Sequence, residues 1–151
     1  MTDRPVRAIE EEILVEYGVF ALQAYPSPQV ALALGRPDGL LLAGPGGAVF
    51  ASATTDHYAH VRVELWPHRP APPRPATRTG SAELTTDAPG LRLASVTAAI
   101  GEQLLELPAA GRYAVRAGVT ELGPRPDDLD EDPTADLPGG VEDWLIQLWP
   151  L

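Results

Sequence analysis

The sequence predicts an all-β fold, a single-domain antiparallel β-sandwich over residues 1–151 with a long acidic loop before the last strand. Two observations predict it. Period-two alternation of apolar and polar residues recurs along the chain, and Gly- and Pro-rich turns separate the alternating runs. Helical periodicity is nearly absent: only Ser95–Gln103 reads as a short helical turn, and Gly101 argues against a longer one. At 151 residues the chain has the length of one ordinary domain, which buries roughly 70% of its unfolded surface.

The first strand is read at Ile13–Ala21, where Ile13, Val15, Tyr17, Val19 and Ala21 share one face. Leu14, Phe20 and Leu22 on the opposite face are also apolar, so both sides of this strand are expected to be covered. Runs at Gln29–Leu34, Leu40–Ala43 and Ala48–Thr54 follow, separated by Gly/Pro turns. Tyr58–Trp66 is half-buried, with Val61, Val63 and Leu65 facing one way and His60, Arg62, Glu64 and Trp66 the other. Pro67, Pro70, Pro72, Pro73 and Pro75 then exclude both helix and central strand. They predict a stiff connector over 68–78 between a first half (9–67) and a second half (79–151), long enough to cross from one sheet to the other. Its Arg69-Pro70-Ala71-Pro72-Pro73-Arg74-Pro75 run matches a peptide-module ligand pattern, which is a cheap match in a Pro-rich chain.

The second half contains Ser81–Thr86, Leu91–Val96, Gln103–Leu107, Arg112–Thr120 and Trp144–Trp149 as strands, with the acidic loop 124–143 before the last. Val63-Glu64-Leu65-Trp66-Pro67 and Ile146-Gln147-Leu148-Trp149-Pro150 match in residue type at every position. They read as two strands that each end in an aromatic at a sheet rim rather than as a duplication.

Charge is the most informative property for function. Asp127, Asp128, Asp130, Glu131, Asp132, Asp136, Glu142 and Asp143 fall in one stretch with no Arg, Lys or His among them. Removing these eight from the 21 acids leaves 13 against 11 bases, so the rest of the molecule is nearly neutral. A surface of this kind speeds encounter with cationic partners and repels nucleic acid and anionic membranes. The same eight residues, with Trp66 and Trp149, are therefore the candidate partner-binding residues.

Other chemistries find little support. There is no Cys, which excludes disulfides, thiolate metal sites and Cys nucleophiles. His57, His60 and His68 invite a three-imidazole metal site, but a strand at Tyr58–Trp66 separates them, and all three read as solvated. Asp128, Asp130 and Asp132 begin like a calcium loop. Pro133 and Gly139 stand where that loop needs Gly and Glu, so only weak divalent-ion binding stays open. Ser52 precedes His57 by five residues, but there is no nucleophile elbow and no phosphate-cradling Gly loop. The chain is therefore read as non-enzymatic, with no cofactor and no metal. Its N-terminal residues are unlike a secretory signal, and no apolar run reaches membrane-spanning length, so the expected location is cytoplasmic.

The run of motifs resembles the competence protein J (ComJ) family, whose named member inhibits a DNA-entry nuclease during natural transformation. The likeness is collinear through Tyr17-Gly18-Val19-Phe20-Ala21-Leu22, Gly47-Ala48-Val49-Phe50, the Val61–Leu65 strand and Trp144–Leu148. It is strongest at Leu105-Glu106-Leu107-Pro108-Ala109-Ala110-Gly111-Arg112-Tyr113-Ala114-Val115. The Pro-rich connector and the longer acidic segment depart from the family pattern. The resemblance implies a small β-sandwich and an inhibitor or immunity-type role, with a basic protein such as a nuclease or toxin as partner. A reading of another class stands beside it: a generic adaptor whose acidic loop serves solubility and whose contact patch is the aromatic rim at Trp66, Trp144 and Trp149.

Overall fold

The computed structural model describes residues 4–73, 75–97, 101–122 and 139–151. Among them the strands are β1 (Arg7–Val15), β2 (Val19–Ala24), β3 (Leu41–Gly44), β4 (Gly47–Ala51) and β5 (His57–Leu65), followed by β6 (Arg78–Thr86), β7 (Gly90–Ala94), β8 (Leu105–Glu106), β9 (Gly111–Glu121) and β10 (Gly139–Pro150). They form two five-stranded sheets, a larger one in the order β1-β5-β10-β9-β6 and a smaller one in the order β3-β4-β2-β7-β8. Neighbouring strands are antiparallel except β5 and β10, which run parallel, so the expected sandwich is present with one parallel pair at the centre of its larger sheet.

The inner faces make the core. Ala59, Val61, Val63 and Leu65 of β5, Tyr113, Val115, Ala117 and Val119 of β9, and Trp144, Ile146 and Leu148 of β10 alternate inward, as a half-buried sheet requires. Trp144 crosses the sandwich and meets Phe20 edge-on at 5.0 Å and Phe50 at 5.9 Å, while those two rings stack at 5.2 Å. Such edge and offset geometries are the favoured ones for aromatic quadrupoles. This places Trp144 in the core and removes it from the aromatic rim.

Three local expectations change. Ile13–Ala21 is not one strand, because Tyr17 (φ 56°) and Gly18 (φ 72°) form a turn that sends the chain from the larger sheet to the smaller. The inward phase switches there from odd (Ile9, Ile13, Val15) to even (Phe20, Leu22, Ala24), which is why both parities looked apolar. The expected strand at Gln29–Leu34 is a 3-10 turn at Ala31–Leu34. The Gln23 side chain takes the place of a strand partner, accepting from Ala31 N at 2.7 Å and donating to Gln29 O at 2.6 Å. The Pro-rich connector joins β5 to β6 within the same sheet, so it crosses the outer face of that sheet instead of passing to the other one. Of Ser95–Gln103, residues 98–100 lie outside the described residues and the remainder is not helical.

The paired Trp-Pro segments prove to be neighbours. Val63, Glu64 and Leu65 of β5 lie in register with Ile146, Gln147 and Leu148 of β10. The likeness therefore reflects one environment occupied twice, at the central parallel pair.

The smaller sheet is tightly spaced where β4 meets β2. Gly47 has φ +136°, and a Cβ there would lie 1.9 Å from Leu22 O, whereas Gly111, at φ +148°, has nothing within 4 Å of a Cβ. Gly47→Ala is expected to cost about 3 kcal/mol or more, through backbone clash added to φ strain, and Gly111→Ala about 1 kcal/mol. Urea midpoints of the two variants measure this, and equal losses would contradict the close approach.

Candidate functional site

The acidic segment connects β9 to β10, and these adjacent strands hold its two ends together. Glu121 pairs with Glu142 in the ladder, and Leu122 N donates to Val141 O at 2.9 Å. Asp127, Asp128, Asp130, Glu131, Asp132 and Asp136 lie outside the described residues. The last strand begins at Gly139, so Glu142 and Asp143 belong to β10, not to the loop, and successive strand residues point to opposite faces.

Glu142 points inward and is 1% exposed, which corrects its assignment to an acidic surface. Its carboxylate accepts from Ser52 Oγ at 2.7 Å, Trp144 Nε1 at 3.0 Å and Ala53 N at 3.1 Å. Arg78 Nη2 lies 3.8 Å away, and Arg78 Nε lies 3.7 Å from Glu121 Oε1. His57, expected to be solvated, is completely buried beside it, with Nε2 3.0 Å from Ser52 Oγ. Burial of the imidazole lowers its pKa, outweighing the nearby Glu142 charge.

The constituents Ser, His and Glu suggest a hydrolytic triad, but the polarity is wrong. A carboxylate can only accept, so the Ser52 proton lies toward Glu142. His57 Nε2 must then donate to the hydroxyl oxygen, which also accepts from Thr54 N at 3.2 Å. A general base needs its bare nitrogen facing the hydroxyl. The cluster is a buried hydrogen-bonded brace between the Ser52–Thr54 turn and the start of β10.

Asp143 points outward. His60 Nδ1 lies 2.6 Å from Asp143 Oδ1 and its Nε2 2.7 Å from Glu10 Oε1, so one imidazole bridges β1 and β10 across β5. These two carboxylates raise the His60 pKa, Asp143 most strongly. Because the two ring nitrogens point in opposite directions, the three groups cannot converge on a metal, and no cluster of at least three His, Cys, Asp or Glu suited to a metal exists among the described residues. His68 is exposed.

Trp66 and Trp149 are half-buried and already engaged. Trp66 Nε1 donates to Glu64 Oε1 at 3.0 Å, and the Arg116 guanidinium lies 5.3 Å from the Trp149 ring centre. Glu64 also accepts from Arg62 Nε at 2.8 Å and from Gln147 Nε2 at 3.0 Å. Despite burial, these donors hold its pKa below the usual carboxylate value. The sequence contained one hint of the buried brace, the five-residue spacing of Ser52 and His57. Nothing in it indicated that Glu142, 90 residues after Ser52, would complete it.

With this geometry in view, the architecture can be compared with solved structures. A crystal structure of ComJ from Bacillus subtilis, described as the inhibitor of the DNA degrading activity of NucA, superposes with a TM-score of 0.66 over 96% of this chain and 98% of that one. The chain has the ComJ fold. Crocagin biosynthetic gene J matches with a TM-score of 0.59 over 96% of this chain and 99% of its own. Sequence identities to ComJ and the crocagin protein are 13% and 16%, so what is shared is the fold. No family model and no curated protein matches the chain. The ComJ-like scaffold accounts for both sheets, and no individual site residue is carried over at such identity.

Two expected outcomes test the site's physics. Glu142→Ala strips the shared acceptor from Ser52, Trp144 and Ala53 and leaves Arg78 without its buried counter-charge. It is expected to cost about 3 kcal/mol, whereas Glu142→Gln, which keeps one acceptor oxygen, should cost roughly half as much. Chemical denaturation gives both values, and a Glu142→Ala loss no larger than that of a surface substitution would refute the brace.

His60 supplies a pH test. Its folded pKa is raised, so the stability it contributes is fully present below the unfolded value of about 6.5 and is lost as pH rises through the folded pKa. The advantage of the parent protein over His60→Gln should be greater near about pH 6 than near about pH 9. Thermal melts of both proteins across that range would show a constant gap if the bridge were inert.

Proposed function

We propose that this chain is a non-enzymatic binding protein that engages a basic protein, such as a nuclease, through the carboxylates of the acidic segment, and so acts as an inhibitor or immunity-type partner. The observation that carries the reading is the concentration of Asp127, Asp128, Asp130, Glu131, Asp132 and Asp136 between two strands that are neighbours in the larger sheet, six of the 21 acids of a chain with 11 bases. A nuclease groove built to hold phosphate presents Arg and Lys to its substrate, and carboxylates on a fixed scaffold satisfy the same cations. Charges arranged in this way chiefly govern association rate and specificity. The shared fold with a nuclease inhibitor supports the same reading.

The adaptor alternative is weakened by what its aromatics do. Trp144 is in the core, and Trp66 and Trp149 are committed to Glu64 and Arg116, which leaves no free aromatic rim of the kind that reading needs.

Partner capture from the source cell followed by stopped-flow association tests the proposal. Replacing Asp127, Asp128, Asp130, Glu131 and Asp132 by Asn or Gln should slow association with the captured basic protein by about 10 to 1000-fold at low salt. Stability is expected to change little, as a thermal melt of the variant would show. The difference should narrow as salt rises and the screening length falls to about 8 Å. An association rate indifferent to both neutralisation and salt would show that the segment serves only solubility.

A further inference from the structure

The outer face of the larger sheet carries a groove of about 890 Å³, of a size with small-molecule sites. Its floor is the outward side of β5, β10 and β9, and one wall is the connector through Pro72, Pro73 and Pro75. Proline backbones are stiff and donate no hydrogen bond, so this wall is preformed and apolar.

The two ends of the groove differ in charge. At one end Glu10 and Asp143 flank His60. At the other stand Arg69 and Arg116. Arg116 is held entirely by neutral acceptors: its Nη2 donates to Gln147 Oε1 at 2.6 Å and to Ala71 O at 3.0 Å, and its Nε donates to Gln147 Oε1 at 3.1 Å. Gln147 cannot turn away, because its Nε2 is tied to Glu64 Oε1. Arg69 makes no hydrogen bond or ion pair with any described residue. By contrast Arg7, Arg62, Arg78 and Arg112 each lie beside a carboxylate, in a chain whose net charge is -10. Two guanidiniums thus share one end of a groove with no ion-pair partner among the described residues. Burial, and secondarily the charge of Arg69, lower the Arg116 pKa, the mark of a desolvated cation facing another cation.

We propose that this groove is a binding site for a small organic carboxylate, with the anionic group held between Arg69 and Arg116 and the apolar body lying along Pro72, Pro73 and Leu145. Guanidinium forks match carboxylate geometry, and a charge-assisted pair inside a cleft is stronger than one in open solvent. Positioning Arg116 through Gln147 and the Ala71 carbonyl keeps its remaining donors aimed and preorganised. Polyanions are disfavoured, because the whole chain is strongly negative and Glu10 and Asp143 occupy the far end of the groove. This proposal does not depend on the proposed nuclease-type partner.

The test uses the intact chain labelled with nitrogen-15, following the indole N–H of Trp149 and the Nε–H of Arg116. It is titrated with acetate, hexanoate, phenylacetate, the neutral phenylacetamide and inorganic phosphate. Saturable shifts at both reporters are expected with hexanoate and phenylacetate, and none with phenylacetamide. Arg69→Gln removes a guanidinium that is bonded to no described residue and should weaken carboxylate binding about ten-fold or more, while the rest of the spectrum stays in place. Absence of saturation with every carboxylate, equal binding of phenylacetamide, or unchanged affinity in Arg69→Gln would each overturn the site. Saturation by phosphate and acetate alone would overturn the apolar half of the assignment.

Discussion

The parallel pairing of β5 with β10 is the constraint on which the rest of the larger sheet depends. Parallel neighbours cannot be joined by a tight turn, so strands far apart in sequence must meet at the centre, and here the final strand inserts between β5 and β9. It satisfies a ladder on each side, places Trp144 against Phe20 and Phe50, and through Trp66 N to Leu148 O draws in the end of β5. Without β10 the larger sheet falls into two pairs, β1-β5 and β9-β6, and the core loses its largest side chain. The free edge of β1 is protected in another way. The Gln103 side-chain amide imitates a neighbouring strand, accepting from Glu10 N and donating to Glu10 O, which occupies groups that would otherwise recruit another chain.

The start of β10 also explains why two histidines three residues apart behave in opposite ways. Strand alternation sends Glu142 inward and Asp143 outward. The inward carboxylate anchors a closed network in which His57 is kept neutral by burial, so His57 favours the folded state only where the unfolded chain is not protonated, at the alkaline end of its range. The outward carboxylate joins Glu10 in stabilising the charged form of His60, which favours the folded state at the acidic end. The two linkages act on opposite sides of about pH 6.5, His57 costing stability below it and the His60 contribution fading above it, so together they favour a stability maximum near that pH.

Much of this architecture is legible in the sequence. Alternation located β5, β6, β7, β9 and the core of β10 to within a few residues, because each has one buried and one exposed face. Where the sequence misled, an identifiable interaction had replaced the usual one. At Tyr17-Gly18 a turn reversed the phase without the usual cluster of turn residues, and at Ala31 a glutamine side chain substituted for a strand. Burial of Glu142 and His57 was not legible, since ionisable residues are rarely buried unless paired. The partners of Glu142, namely Ser52 and Arg78, come from segments that only the folded sheets bring to it. The six carboxylates from Asp127 to Asp136 are conspicuous in composition, but their surroundings are a matter of tertiary structure.

The Pro-rich connector and the acidic stretch both attach to the larger sheet, one between β5 and β6 and the other between β9 and β10. Sandwich folds tolerate insertion at such connections because the ladders on either side remain intact. Here the consequence is chemical as well as topological. The connector contributes Arg69 and a proline wall to the outer face, held there by Arg116 from β9, and the acidic stretch gathers most of the net negative charge of the chain. Arg69 on one connection and the run of acids on the other therefore attach at different places on the same sheet. Had they been interspersed, Arg69 and Arg116 would have found carboxylates within the chain, as Arg62 and Arg112 do. Guanidiniums without an ion-pair partner among the described residues, one of them held on a strand by Gln147, are what recognition of an anionic ligand requires.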